Sequence, residues 1–339
     1  MDSLSFIEFL RGYGEKSPPS MIYQEGQDFG QWQQQFRERL DGLMGPVPDC
    51  VEPTVDVLDT EELETHTRHR LQIAVNEFCS LPAFLLVPKG MAEGEKRPGI
   101  LALHGHAKFG MESIAGLDTP QVRQYGYRAY GREAVDAGFV VLCPAWWGWP
   151  GRDGHVERVG TRDKCNVIQM AAGMYGVNVI ALHIQDGQAA LDALCSRPEV
   201  DPGRIGCMGN SYGGRTTMWV SIYDDRIRAC VPSGCMNTFR ERSLKLSSCG
   251  IQYLPGLLQY GDVPELFSLM APRPMQLMTG EKDGLITDSD RDAMIAVVRR
   301  AYELCGASDN LDYALHPEGH MLVWELAEPF LRKHLAFEG

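Results

Sequence analysis

The amino-acid sequence predicts an α/β fold, with a mostly parallel central sheet, helices on both faces and an N-terminal helical arm. Three observations predict it. Short apolar, β-branched runs recur from residue 98 onward and alternate with helix-compatible stretches. The runs are apolar at consecutive positions, as strands buried on both faces are. Ahead of them, residues 1–60 look helical and separate from the rest of the chain.

In the arm, DFGQWQQQFRERLDGLMG places Phe29, Trp32, Phe36, Leu40 and Leu43 on one helical face. Asp28 can cap the start, and Gly45-Pro46 ends the helix. Such a stripe signals packing, so residues 1–60 are expected to lie against a main domain of residues 61–339. From Thr65 the period changes. RHRLQIAV and LPAFLLVPKG suit two antiparallel strands joined by a polar turn around Asn76-Glu77, which makes the sheet mixed. Further strands are expected in PGILALHGH (98–106), GFVVLCPAW (138–146), RIGCMGNS (204–211), IRACVPSG (227–234), PMQLMTGEKD (274–283) and LDYALHPEGH (311–320). Helices are expected between and after them, notably Ile180–Cys195, Asp288–Cys305 and Met321–Leu335. This alternation is the pattern of a parallel sheet covered on both sides.

Composition narrows the function classes. The chain has 339 residues, 44% of them hydrophobic and 23% charged, with 32 basic against 45 acidic residues for a formal net charge of −13. With a pI near 5.2, its average field repels phosphate, so neither nucleic acid nor an anionic membrane is an expected partner. The N-terminal MDSLSFIEFLRGYGEK has acids within its apolar stretch and no basic leader, and no run approaches the ~20 apolar residues that span a bilayer. Ten cysteines are scattered without CxxC pairs, several in apolar surroundings such as Cys143, Cys207 and Cys230. Buried thiols in a reducing, cytoplasmic setting are the expectation.

In an open parallel sheet, chemistry gathers beyond the carboxyl ends of the strands. Those ends carry His104-Gly105-His106, Trp146-Trp147, Ser211, Asp283 and His320. A hydroxyl, an acid and a base therefore succeed one another along the chain. Ser211 is the centre of a G-x-S-x-G pattern, Gly209-Asn210-Ser211-Tyr212-Gly213. So short a pattern carries a false-positive risk. Its context reduces that risk: it comes after an apolar strand, opens a helix, and is trailed by acid and base at two further strand ends.

From about residue 65 onward the chain resembles the α/β-hydrolase superfamily, on HGH, VDPGRIGCMGNSYGG, APRPMQLMTGEKD and HPEGH. Within it these motifs are similar to the dienelactone hydrolase and acetyl xylan esterase-like branch. The resemblance implies an α/β-hydrolase fold and a Ser211–His320–Asp283 triad. Gly209 and Gly213 would let Ser211 sit on a tight, exposed elbow. His320 would accept the hydroxyl proton, and Asp283 would hold the imidazole in the needed tautomer. Backbone N–H donors for the oxyanion would come from Tyr212 and from the loop after LALHGH, at His106 with Gly105 or Ala107 as alternatives. Dienelactone hydrolases proper use a cysteine nucleophile. A serine stands here, which favours ordinary ester hydrolysis over lactone chemistry.

Rival assignments exist for each residue. His316 lies four positions before His320, but GH immediately before the last helix favours His320. Asp288, Asp290 and Asp262 compete with Asp283, yet each is placed to cap or lead a helix. The loop PAWWGWPGRDG (144–154) either packs into the core or walls a substrate pocket with Trp146, Trp147 and Trp149, and Arg152 or Lys108 could meet a substrate carboxylate. Val156–Asn178 is a candidate cover. Strand spacing puts His104 and His106 on one face, and His66 and His69 form another pair. No Cys, Asp or Glu cluster completes a ligand set beside them, so no metal is expected, and no cofactor. The implied activity is a cofactor-free serine esterase acting through an acyl-enzyme on a small-molecule ester, a sugar acetate among the guesses. A peptidase or amidase, a C–C bond hydrolase and a non-catalytic binding protein on the same scaffold are the alternatives. The sequence leaves the oligomeric state open.

Overall fold

The computed structural model describes residues 5–124, 129–152, 164–245 and 249–338. Nine strands among them form one mixed sheet: β1 (Val55–Glu62), β2 (His66–Asn76), β3 (Cys79–Pro88), β4 (Arg97–Leu103), β5 (Val140–Pro144), β6 (Val200–Asn210), β7 (Ile227–Ser233), β8 (Met275–Gly280) and β9 (Leu311–His316). Their order across the sheet is β1-β2-β3-β5-β4-β6-β7-β8-β9. The first three meet each other and β5 antiparallel, whereas every pairing from β5 to β9 is parallel.

The expected hairpin is β2 and β3, and the six expected later strands are β4 to β9. One strand goes beyond the sequence reading. β1, VDVLDTEE, is exposed from its second residue onward, so neither face gives it an apolar or alternating pattern. It also lies across the boundary drawn at residue 60.

The chain leaves β4 in one direction to reach β5 and then crosses back to place β6 on β4's other side. This reversal makes the carboxyl ends of β4 and β6 a switch point, where a crevice opens because successive connections diverge. Leu103, the last residue of β4, pairs with Gly209 near the end of β6. The loops after the two strands therefore emerge side by side.

Two apolar cores flank the sheet, and the strands' two-residue period divides side chains between them. Leu101, Leu103, Val140 and Leu142 face one core; Ile100, Ala102, Val141 and Cys143 face the other. Helices α1 (Phe6–Lys16) and α2 (Phe29–Met44) come first. The others are α3 (Met111–Ile114), α4 (Pro120–Gln124), α5 (Tyr130–Asp136), α6 (Lys164–Gly173), α7 (Val179–Cys195), α8 (Tyr212–Tyr223), α9 (Phe239–Lys245), α10 (Val263–Ser268), α11 (Asp288–Leu304) and α12 (Trp324–His334). The first core gathers α2, α7, α8, α10 and α11; the second gathers α3, α5 and α12. α12 begins three residues later than the sequence suggests, because Met321–Val323 are still running from the His320 loop.

Asp28 caps α2 by accepting from the Gln31 N–H at 2.7 Å. Trp32, Phe36, Leu40 and Met44 are buried in the same core as α7 and α8. Burying a side chain the size of Phe36 contributes about 2–3 kcal/mol. Polar groups fix the docking: Gln33 donates to the Ser268 and Ala271 carbonyls, and the Trp32 indole donates to the Met21 carbonyl. None of the ten cysteines forms a disulfide. No helix among the described residues is long and apolar enough to cross a membrane.

Candidate active site

Ser211 sits between the last residue of β6 and the first of α8, with φ 64°. That left-handed conformation is unfavourable for a residue with a Cβ. The surroundings hold it there. The Ser211 N–H donates to the Ser233 carbonyl at 2.8 Å, and its carbonyl accepts from the Arg215 N–H at 3.1 Å. A Cβ on Gly213 would lie 2.0 Å from the Leu103 carbonyl oxygen, so only glycine lets α8 start this close to β4.

Asp283 and His320 are brought together by zipping of the loops after β8 and β9. The Glu281 N–H donates to the His316 carbonyl and the Lys282 N–H to the Glu318 carbonyl. His320 Nδ1 then donates to Asp283 Oδ2 at 2.7 Å. A second Asp283 oxygen accepts from the Leu285 N–H at 3.0 Å. With Nδ1 carrying the proton, Nε2 keeps its lone pair, and it has no hydrogen-bond partner among the described residues. Ser211 and His320 both line a cavity of about 380 Å³, with His106, Asn166, Arg215, Asn237 and Cys249 among the other walls.

The strand-end loop of His320 is tied to the nucleophile strand by two residues that the sequence reading missed. Asn210 Nδ2 donates to the His320 carbonyl at 3.4 Å, and the Ser233 hydroxyl lies 3.1 Å from both Asn210 Oδ1 and the Met321 carbonyl. Gly234, at φ 62°, lets the imidazole approach: a Cβ there would stand 3.0 Å from His320 Cε1.

The competing residues have structural places. His316 is buried, with Nε2 3.2 Å from the Met321 carbonyl. Asp288 and Asp290 lie in the first turn of α11, which Thr287 caps. Asp262 caps α10 through a reciprocal capping box with Glu265 and also accepts the Phe239 and Arg240 N–H groups.

Of the two readings of the tryptophan loop, the substrate wall needs correction, because Trp146, Trp147, Trp149 and Arg152 do not line the Ser211 cavity; residues 153–154 lie outside the described residues. Trp146 is fully buried. Trp149 is 5% exposed, donates to the Ala107 carbonyl, stacks on Tyr212 at 5.9 Å and meets the His106 ring edge-on. Trp147 is half-buried beneath the Arg152 guanidinium, 3.7 Å away. Arg152 is itself buried in an ion pair with Asp186 of α7. That carboxylate neutralises it where water cannot, so it is not available to a substrate anion. Of the candidate cover, 156–163 lie outside the described residues; α6 within it contributes Asn166 to the cavity.

Two buried imidazoles pin the same loop. The Trp146 N–H donates to His104 Nε2 at 3.0 Å and the Trp147 N–H to His183 Nε2 at 3.2 Å. His104 Nδ1 consequently donates to the Gly105 carbonyl, and His183 Nδ1 to the Tyr212 hydroxyl at 2.5 Å. Burial lowers His104 to about 4 and His183 well below the usual imidazole range. His183 lies within the expected α7, where its spacing reads as ordinary packing.

The metal reading also changes. β4 ends at Leu103, so His104 and His106 do not share a strand face: the first is buried with both nitrogens engaged, the second exposed. His66 Nδ1 and His69 Nδ1 each meet a threonine hydroxyl, of Thr65 and Thr60. Around His106, however, the fold assembles thiols from distant sequence. Cys165 Sγ is 3.3 Å from His106 Nε2, and the ligating atoms of His106, Cys165 and Cys249 all lie within 4.8 Å of one another. A hydrogen bond with Cys249, then burial, pushes the Cys165 thiol up.

For the oxyanion, Tyr212 is the first residue of α8, and His106 lies in the neighbouring loop. The Ala107 N–H donates to the Gly105 carbonyl at 2.8 Å, which removes Ala107 from the candidate donors.

A parallel sheet reversing at β4 and β6, with a serine on a left-handed elbow between β6 and α8, defines the α/β-hydrolase fold. Known proteins of similar sequence and structure agree. The dienelactone hydrolase family profile matches residues 114–244. A Bacillus subtilis (strain 168) protein named "Putative hydrolase YtaP" is 29% identical over 313 residues, covering 88% of this chain and 98% of its own. Among solved structures, a "putative acetyl xylan esterase" from Bacteroides fragilis superposes with TM-score 0.78 at 18% identity, covering 98% of this chain and 95% of its own. A glucuronoyl esterase from Solibacter usitatus gives 0.70 at 16% identity, covering 95% and 97%.

Proposed function

We propose that the chain is a serine hydrolase of carboxylic esters. The observation that carries the reading is the Asp283–His320 hydrogen bond of 2.7 Å at the cavity that Ser211 lines. Ser211 Oγ attacks the ester carbonyl carbon while His320 Nε2 takes its proton. Asp283 keeps Nδ1 protonated and stabilises the imidazolium. The Tyr212 and His106 N–H groups receive the oxyanion, each such donor being worth about 3–4 kcal/mol of barrier. Collapse expels the alcohol, which takes the proton from His320. Water, deprotonated by the same nitrogen, then splits the acyl-Ser211 ester to release the acid.

The name of its sequence relative supports a hydrolase, and those of the two structural neighbours support an ester of a carbohydrate. A cavity of about 380 Å³ suits a single sugar unit or a small acyl ester better than a polymer buried end to end. The test is labelling by a fluorophosphonate together with turnover of p-nitrophenyl acetate, acetylated sugars and an amide analogue. Both labelling and ester turnover are expected, and both should vanish in Ser211→Ala. A folded wild type that is neither labelled nor active would sink the hydrolase reading, and faster turnover of the amide would replace esterase by amidase.

A further inference from the structure

We propose that His106, Cys165 and Cys249 form a binding site for a thiophilic divalent cation, zinc, on the wall of the Ser211 cavity. Three separate stretches of chain supply the ligands: the loop after β4, the first turn of α6, and the residue just before a short 3-10 helix at Gly250–Gln252. No local turn brings them together; the tertiary fold does.

Zinc bonds of about 2.0–2.1 Å to nitrogen and about 2.3 Å to sulfur put the ligand atoms of a tetrahedral site roughly 3.5–3.8 Å apart. Here His106 Nε2 and Cys165 Sγ are 3.3 Å apart, and all three ligand atoms lie within 4.8 Å of one another. Those separations bracket the tetrahedral spacing. Two thiols and an imidazole suit zinc and not magnesium or calcium, which take oxygen ligands.

The frame is built to hold this spacing. Asn166, next to Cys165, accepts the Gly250 N–H at 2.6 Å, clamping α6 to the segment after Cys249. Trp149 supports the His106 ring edge-on at 5.3 Å. Three protein ligands leave a fourth position, and since His106 and Cys249 line the cavity, that position opens into it. Uptake of Zn²⁺ expels the two thiol protons and changes no oxidation state, so affinity rises with pH.

One consequence rests on the proposed hydrolase reading. A cation on the His106 ring pins the loop whose backbone N–H is assigned to the oxyanion and fills part of the cavity that Ser211 lines. Zinc is then an inhibitor.

The experiment uses the full chain kept reduced with a phosphine. Titration with Co²⁺ should give thiolate-to-cobalt charge-transfer and tetrahedral d–d absorption, saturating at one equivalent and displaced by Zn²⁺. Cys165→Ser and, as a second variant, Cys165→Ala should lower cobalt affinity at least ~100-fold, more than loss of a supporting partner does. Absence of those bands in the wild type, or their persistence in both variants, overturns the site. Zinc should suppress ester turnover by the wild type and leave Cys165→Ser turning over. Zinc-insensitive turnover with the metal bound overturns the inhibition. Cobalt bands in a protein with no fluorophosphonate labelling would sink the hydrolase reading and leave the metal site standing.

Discussion

Ser211 carries a backbone strain that catalysis would use and folding would be better without. At φ 64°, a glycine would relieve the contact between Cβ and backbone, worth on the order of 1–3 kcal/mol. Ser211→Gly should therefore raise the urea midpoint while abolishing fluorophosphonate labelling, whereas Ser211→Ala should leave the midpoint nearly unchanged; equal midpoints for all three would deny the strain. Asp283→Asn keeps the side chain's shape but lets an amide replace the acceptor of the His320 proton. Under the proposed relay kcat falls about 10⁴-fold with little change in KM; a loss below tenfold in steady-state kinetics would remove Asp283 from the mechanism. The three candidate positions are legible in the sequence because a motif and a strand-end order mark them. Asn210, Ser233 and His183 are not, since each acts through a partner distant in sequence: His320 at 110 positions, Met321 at 88 and Tyr212 at 29 respectively. Arg152 was misread for the same reason: its counter-charge, Asp186, lies inside a helix whose pattern says only that it packs.

At the scale of elements, periodicity served wherever one face or both faces were buried. The α2 stripe, the β2–β3 hairpin and the six later strands emerge from it. It failed for β1, whose side chains meet water on both faces, and for the start of α12, which the His320 loop delays. Burial of Phe36 makes a checkable claim about the arm. Its ring is fully buried and stacks on Trp32 at 5.5 Å. Phe36→Ala should cost about 3–5 kcal/mol of unfolding free energy, read by urea denaturation. A loss under about 1 kcal/mol, the size of an ordinary surface change, would mean that α2 is an accessory the sheet domain can do without.

For the whole molecule, buried neutral imidazoles set the acid limit. His104 is lowered to about 4 and His183 further, while in the unfolded chain both titrate near 6.5. Below that value the unfolded state binds more protons, so stability is complete above about pH 6.5 and is lost as pH falls toward about 4. Each group contributes roughly 1.4 kcal/mol per pH unit across its window. Buried His66, also lowered to about 4, acts in the same sense. Glu265 opposes them: burial raises it to about 7, so its share is present below its unfolded value and lost as pH rises through about 7. Burial also raises Glu112, Asp186, Glu241 and Asp262 in the direction of Glu265 and lowers His69 and His334 in that of the other imidazoles; the imidazoles are expected to dominate. Urea midpoints measured from about pH 7.5 to 4.5 should hold down to about 6.5 and then drop; a flat profile would contradict the neutral tautomers assigned to the Trp146 and Trp147 N–H acceptors.

β1 has a bearing on how copies of this chain coexist. It closes one margin of the sheet, with exposed Asp56, Asp59, Glu61 and Glu62 and a bulge between Val57 and Asp59. A neighbour trying to extend the sheet there would bring its own carboxylates against these and meet a kinked partner. The strand that periodicity could not reveal thus acts as a fender: its polarity keeps a nine-stranded sheet from growing a tenth out of another molecule.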